Sequence, residues 1–524
     1  MKRTISRNRF LSLLLIACLA LAATMPLGVL ADSEKKEDIT VSLLFPQNSA
    51  LRPAMDVSQV WDYIYEGTGI HFDLTICEST DQVALMYASR DYPDMVANVS
   101  TTAAQLANAA EAGDVVKLDD YFDTLLPSWK DFFEANPIIY NIEKINGGLY
   151  SLPWVNQNRY ERELRNQWLY NQVWLNELNL DVPKTTTDFM NVCEAIKNAA
   201  GTGTIPEEVI PFYYRYDVYN AGGQYDIYGS FGVLITSDQY LMVDENGTVI
   251  SQAINPDIKA PLKYLSELYA KGLTPPEVFT DDGNGYMTKT SADPAIVFSY
   301  SSFANRSPAG VSLPMAPLDS ETGAPSYIRK QAYVANNSYC TVVFSSSPYV
   351  ERILEFLEWA AQPINAVTLN YGMEGVVWDY NADNKIELHF WESQPALMTE
   401  NAESVGFVNS WFNALRKEMY AEYFNFPETQ VYGTREWSID NLYPEYTPDW
   451  DCVYLEGQLE EDDRIYMNQL YADIKAYRQE TFANWIMGQG DIDAEWDGFV
   501  DHMKSLGHDE WLELKQKAYD LVAK

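Results

Sequence analysis

The sequence predicts an α/β protein made of two lobes built from interleaved chain segments, and three observations predict it. Runs rich in β-branched and aromatic residues, Ile39–Phe45, Phe72–Ile76, Met95–Ala97 and Ala295–Ser299, alternate with stretches of helical hydrophobic period, the order expected of a sheet flanked by helices. The chain has 524 residues, 47% hydrophobic and 14% aromatic, which is too long for one ordinary domain and enough for more than one core. Pro and Gly are spread along the chain, with no fixed-period repeat and no low-complexity tether between two beads.

Residues 1–31 read as an export signal and are set aside from the fold. Lys2, Arg3, Arg7 and Arg9 precede an apolar run from Phe10 to Leu30, and Val29-Leu30-Ala31 stands before Asp32. Pro26 interrupts the run and an acidic stretch follows it, which favours cleavage after Ala31 over a membrane anchor. The alternative is Leu15-Ile16-Ala17-Cys18, which resembles a lipobox that would attach a lipid at Cys18; the apolar run continues past Cys18, against that reading. Either route places the protein outside the cytoplasm, as a secreted, periplasmic or surface-attached chain.

Ser58 to Glu66 is expected to be a helix stopped by Gly67, and Asp81 to Ala88 another, with Val83, Met86 and Tyr87 at helical spacing before Pro93 forces extended backbone. The first 70 mature residues thus read β-α-β-α-β. Leu164, Trp168, Leu175 and Leu178 fall on one helical face, ended by Asn179 to Pro183. Thr185 with Asp188 three residues on reads as a cap for a helix carrying Phe189, Val192, Cys193 and Ile196. Ile258, Leu262, Leu265 and Tyr269 make a stripe closed by Gly272, and Ser347-Pro348 opens a helix with Ile353 and Leu357. Phe499, Met503 and Leu506 lead to Gly507, and Trp511, Leu514, Ala518 and Leu521 make a terminal helix. Hairpin turns are expected at Asp244-Glu-Asn-Gly247 and Asn381-Ala-Asp-Asn384.

Composition and absent motifs exclude several kinds of chemistry. With 75 acidic against 36 basic residues, a net charge of −39 repels phosphate backbones, so nucleic acid is not an expected partner. The 4 His form no HExxH or comparable spacing, no GxSxG elbow or P-loop occurs, and Gly201-Thr-Gly203 lacks a third Gly. Cys77, Cys193, Cys340 and Cys452 are far apart without a CxxC, which leaves their disulfide status open, although Cys193 lies on an apolar helical face and reads as a buried thiol. Asp281-Asp-Gly-Asn284 and Asp379-Tyr-Asn-Ala-Asp383 space oxygens closely, yet neither combines Gly at position 6 with Glu at position 12, so both read as solvated turns. No metal and no cofactor are expected.

Several short motifs, in order, resemble those of bacterial extracellular solute-binding proteins of family 1, the capture subunits of ABC importers for sugars. Ala88-Ser-Arg-Asp-Tyr-Pro-Asp94 resembles the family's small-Ser-Gly-x-x-Pro-Asp element, with Arg90 where Gly is usual. Leu118-Asp-Asp-Tyr-Phe122, Gly148-Leu-Tyr-Ser-Leu-Pro153, and Tyr170 through Leu180 with Pro183 and Thr185 follow the family pattern, with Asn179 replacing a Gly. Tyr264 to Leu273 and Tyr371-Gly-Met-Glu-Gly375 complete the likeness, the last close to oligosaccharide-type members. The resemblance implies a two-lobe, periplasmic-binding-protein-like fold of type II with a ligand cleft between the lobes. The boundaries expected are 32–153 plus about 313–371 for the N-terminal lobe, and 154–312 plus about 372–524 for the C-terminal lobe.

Ligands of open α/β sheets sit beyond the carboxyl ends of strands, which selects candidates. Gln47 and Asn48 follow the first strand, Asn98 and Thr101 the third, and Trp154 the Leu152-Pro153 strand end, where its ring would stack on a sugar face. Tyr300 follows Ala295–Ser299; Tyr225 lies in a Gly-interrupted aromatic stretch of the second lobe; Glu374 sits in the Tyr-Gly-x-Glu-Gly element; Trp378 and Trp411 are further platforms. The expected function is a non-catalytic, monomeric receptor that captures a carbohydrate, in the oligosaccharide range, by lobe closure and delivers it to ABC permease transmembrane subunits. The alternatives are a secreted polysaccharide-active enzyme and the same receptor fold binding a peptide or other solute.

Overall fold

The computed structural model describes residues 37–47, 55–162, 164, 166–219, 224–330, 337–390, 395–407 and 414–523. The signal and lipobox readings on residues 1–31 lie outside these. Fourteen strands are named among the described residues: β1 (Ile39–Pro46), β2 (Ile70–Cys77), β3 (Met95–Ala97), β4 (Leu152–Asn156), β5 (Gln167–Asn171), β6 (Ile210–Tyr213), β7 (Leu241–Val243), β8 (Val249–Ser251), β9 (Val297–Ser302), β10 (Ser312–Met315), β11 (Asn337–Val343), β12 (Trp378–Tyr380), β13 (Ile386–Leu388) and β14 (Ala414–Leu415). One sheet has the order β14-β4-β11-β3-β1-β2 and a second the order β10-β5-β9-β6; β7–β8 and β12–β13 are separate hairpins.

The opening β-α-β-α-β reading holds. β1 and β2 pair in parallel from Ile39↔Ile70 to Pro46↔Cys77, joined by a helix Val60–Thr68 whose cap, Gly69, takes the left-handed conformation. The helix Thr80–Ser89 ends at Arg90, whose φ is 58°, and Asn179 has φ 53°. Both departures from the family's glycines therefore sit where backbone geometry favours glycine.

Thr185 caps the helix Thr186–Asn198 as expected: its Oγ1 accepts from Asp188 N at 3.0 Å while Asp188 Oδ2 accepts from Thr185 N at 3.1 Å. The Asp244–Gly247 turn also forms, with Asp244 Oδ1 accepting from the Asn246 and Thr248 amides. At 381–384, Asn381 Oδ1 takes the amides of Asp383 and Lys385 and closes the β12–β13 hairpin.

The helix read through Leu164 to Leu178 is corrected. Its first half is β5, five consecutive buried residues between β10 and β9, and only Gln172–Glu177 is helical. A central strand buried on both faces shows no alternation, so its apolar residues matched a helical stripe by chance. Asn171 makes the switch, its Oδ1 accepting from the Val173 and Trp174 amides.

Two large cores follow the two sheets. One gathers residues from Val41 to Val155, Cys340 to Leu369, Phe407 and Ala414. The other runs from Trp168 to Leu318 and takes in the C-terminal helices Glu461–Ile486, Ile492–Ser505 and His508–Asp520. A third, smaller core is centred on Tyr371, Trp378 and Phe424. Cys193 is buried, and Cys77, Cys193 and Cys452 are free thiols.

Candidate functional site

Strand directions locate the site. β11 is antiparallel to both β3 and β4, so β1, β2, β3 and β4 run the same way and end on one edge. In the second sheet β9 and β10 are antiparallel to β5, and β6 is parallel to β9, so β6, β9 and β10 all end at the edge where β5 begins. β4 stops at Asn156 and β5 starts at Gln167, a span that brings the two edges together. With β14 parallel to β4, the carboxyl ends of eight strands thus converge on the region where the chain crosses between sheets, the place where open α/β folds hold ligands.

Three crossing segments are packed side by side there. Leu164 from the first, Ile328 from the second and Ile439 with Tyr443 from the third form a small core, and Ile328 N donates to Tyr446 O at 2.9 Å. Arg329 is buried, donating from Nη1 to Tyr219 O at 2.8 Å and pairing with Asp226 at 3.3 Å; Asp226 also accepts from Asn166 Nδ2 at 3.1 Å.

At the C-lobe edge several buried polar atoms have no hydrogen-bond partner among the described residues: Asn166 Oδ1, Gln167 Oε1, Ser302 Oγ, Arg215 Nε and Arg306 Nε. Such atoms are rare in folded proteins because each forfeits the hydrogen bond it had in water. Gln167 and Ser302 are paired across β5 and β9, so both lie at the same end of the sheet. Beyond β9, Phe303 carries the Arg435 guanidinium at 3.8 Å over its ring. Beyond β6, Asp281 accepts from both the Tyr213 hydroxyl and Lys289 Nζ. Burial pushes this carboxyl up, but the hydrogen bonds from Lys289 and Tyr213 together with the positive charges of Lys289 and Arg215 hold it below the ordinary aspartate range.

Of the candidates, Tyr300 lies closest to this edge, but its ring is wholly buried. Its hydroxyl accepts from the Arg306 and Ser307 amides at 3.0 and 3.1 Å, so it shapes the loop after β9. Tyr225 is buried too, its hydroxyl donating to Asp217 Oδ1 at 3.3 Å inside the second core. Trp154 lies within β4, opposite Asn337, because the strand runs on to Asn156; its side chain is 2% exposed and belongs to the first core. On the N-lobe edge, Asn98 has φ 51° and donates its amide to Cys340 O at 2.6 Å, Thr101 Oγ1 is 3.4 Å from the Tyr87 hydroxyl, and exposed Gln47 donates to Glu78 O at 2.8 Å. Glu374 is exposed in the turn before β12, and Trp378 is buried in the third core, donating to Gly372 O at 2.8 Å. Asn48 and Trp411 lie outside the described residues. Phe303, Arg306, Arg215 and Asn166 were not among the candidates, although each lies a few residues from a strand end.

The family model for bacterial extracellular solute-binding proteins matches residues 66–367. The fructooligosaccharide ABC transporter substrate-binding protein FusA of Streptococcus pneumoniae serotype 4 is 25% identical over 470 residues, covering 86% of this chain and 85% of that protein. The solved structure of S. pneumoniae FusA in complex with kestose superposes with a TM-score of 0.78 at 22% identity, over 92% of this chain and 99% of that one. An HMO-binding, ABC-transporter-associated solute-binding protein from Bifidobacterium longum infantis gives a TM-score of 0.77 at 17% identity, over 93% and 99% of the two chains. These likenesses establish the two-lobe fold. Among the described residues no helix is long and apolar enough to cross a membrane.

Proposed function

The chain belongs to the bacterial extracellular solute-binding protein family, and from that premise we propose that it is the receptor of an ABC importer that captures an oligosaccharide between its lobes. The observation that carries the reading is the set of buried polar atoms at the convergent strand ends that have no hydrogen-bond partner among the described residues. Hydroxyl-rich ligands supply donors and acceptors together with a CH face that packs on an aromatic ring. The fructooligosaccharide transport role of the 25% identical relative supports the same reading.

The lobe division we propose follows the two cores and sheets, with 37–156, 337–369 and 414–415 in one and 167–315 with 454–523 in the other, supported by β10 lying in the second sheet and β14 in the first. Closure would be driven by contacts that the ligand makes only in the closed state, and the permease would read the closed form. The protein acts as a monomer, performs no covalent chemistry, and works outside the cytoplasm after loss of residues 1–31 or through an anchor at Cys18.

A thermal-shift screen over oligosaccharides tests this, since a ligand bound only by the native state raises the melting temperature. The expected result is stabilisation by one saccharide class, with the sugar recovered chemically unchanged. Stabilisation by peptides alone would refute the carbohydrate ligand, and release of new reducing ends in proportion to protein would identify an enzyme.

A further inference from the structure

We propose that the captured saccharide is acidic and that its carboxylate, or an equivalent anionic group, is received by Arg306 and Arg215. This deepens the carbohydrate reading above and rests on it.

Tyr213 at the end of β6 pairs directly with Tyr300 on β9. Arg215 stands two residues beyond the first and Arg306 six beyond the second, so both extend from the cleft edge of the second sheet. The Tyr213 and Tyr286 rings stack between these segments at 5.0 Å. Arg306 is held by a rigid loop, since its own amide and that of Ser307 both donate to the Tyr300 hydroxyl. Arg215 Nη1 lies 3.8 Å from where a Cβ on Gly283 would stand, beside the first turn of the helix Gly283–Thr290.

The neighbouring cations have ion pairs of their own; among the described residues Arg215 and Arg306 have none, and Arg215 feels the Asp281 charge only at longer range. Lys289 is paired with Asp281, and Arg329 with Asp226. Among the described residues no carboxylate lies within salt-bridge distance of Arg215 or Arg306, and the Nε of each is buried without an acceptor. Asp281 is already shared between Tyr213 and Lys289, Asp226 between Asn166 and Arg329, and Glu277 is exposed.

In the open protein water can solvate the outer nitrogens of both guanidinium groups. Closing the lobes removes that water, and an enclosed cation without a counter-charge strongly opposes closure. A neutral sugar returns hydrogen bonds but no charge; a carboxylate returns both and fits the planar fork bidentately. The excess of acid elsewhere does not cancel this attraction, because at physiological salt charges are screened beyond about 8–10 Å.

Calorimetric titration of the mature protein compares oligogalacturonides and alginate oligomers with kestose, nystose and maltotriose. The expected result is binding of an acidic oligomer in preference to the neutral set, weakening as sodium chloride is raised. Arg306→Gln and Arg215→Gln should each weaken that binding about tenfold or more with melting unchanged, and Arg306→Lys should restore part of it, which also covers failure of the glutamine variant to fold. Binding of the neutral sugars alone, indifferent to salt and to both glutamine variants, would overturn the acidic ligand and leave the carbohydrate receptor standing. If no saccharide of either set binds, both readings fall.

Discussion

Arg478 Nη2 donates to Asp217 Oδ2 at 2.8 Å with both side chains almost wholly buried, and the same guanidinium lies 3.9 Å over the Tyr240 ring. Arg478 belongs to the long helix Glu461–Ile486, and Asp217 follows β6. The pair therefore fastens the C-terminal helices to the segment that leads away from the candidate site. Arg478→Ala would leave a buried aspartate without its cation, so the expected cost is about 3–5 kcal/mol. Denaturant unfolding measures it, and a loss below about 1 kcal/mol would show that water reaches Asp217 in solution.

His508 gives the protein a defined response to acid. The ring is buried, with Nε2 2.9 Å from Ser251 Oγ and the Trp511 ring packed at 5.4 Å. Burial lowers its affinity for a proton below that of a free histidine, outweighing the attraction of Asp509. As pH falls through the unfolded value near 6.5, the unfolded chain takes up a proton that the folded chain refuses, so stability is lost from there down to the depressed folded value. His508→Gln should flatten the stability profile in that window relative to the wild type, as unfolding curves across the range would record; parallel profiles would count against it.

Trp154 is expected to act as core. Trp154→Ala should lower stability by about 3–5 kcal/mol through loss of transfer energy and a residual cavity, with the affinity of the folded fraction retained. Denaturation and calorimetry on the same preparation check it. Intact melting with weakened binding would instead place the ring against the ligand.

Tyr300→Phe removes the acceptor of two backbone amides while keeping the buried ring. Leaving them unsatisfied should cost about 1–3 kcal/mol and loosen the loop that carries Phe303 and Arg306. Saccharide affinity should therefore fall in a variant that still folds. Unchanged affinity would separate this loop from binding.

Elements governed by neighbours a few residues apart were legible in advance. The Thr185–Asp188 cap, the Asp244–Gly247 hairpin, the β-α-β-α-β succession from β1 to β3 and the closing helices rest on local hydrogen bonds and on apolar periodicity. β5 was misread because a strand covered on both sides carries no period of its own. Of the candidate site only the rough position of the strand ends could be anticipated, and the aromatic candidates Trp154, Tyr225, Tyr300 and Trp378 proved to be buried.

What the sequence by itself determined is the α/β class, the family and the opening alternation of strands and helices, since these follow from residue types at short spacing, whereas β4 runs on to Asn156 and β9 to Ser302, past their expected ends. Which side chains face the cleft was decided by the tertiary structure. Tyr300 and Arg306 are six residues apart, yet one spends its hydroxyl inside the lobe while the Nε of the other is buried without an acceptor among the described residues. Arg329 and Arg215 are chemically alike, but Asp226 forms an ion pair with the first, while among the described residues the second has none and feels Asp281 only at longer range. Compensation of charge and satisfaction of buried polar atoms depend on groups brought together from distant parts of the chain, and only the packed fold sets those distances.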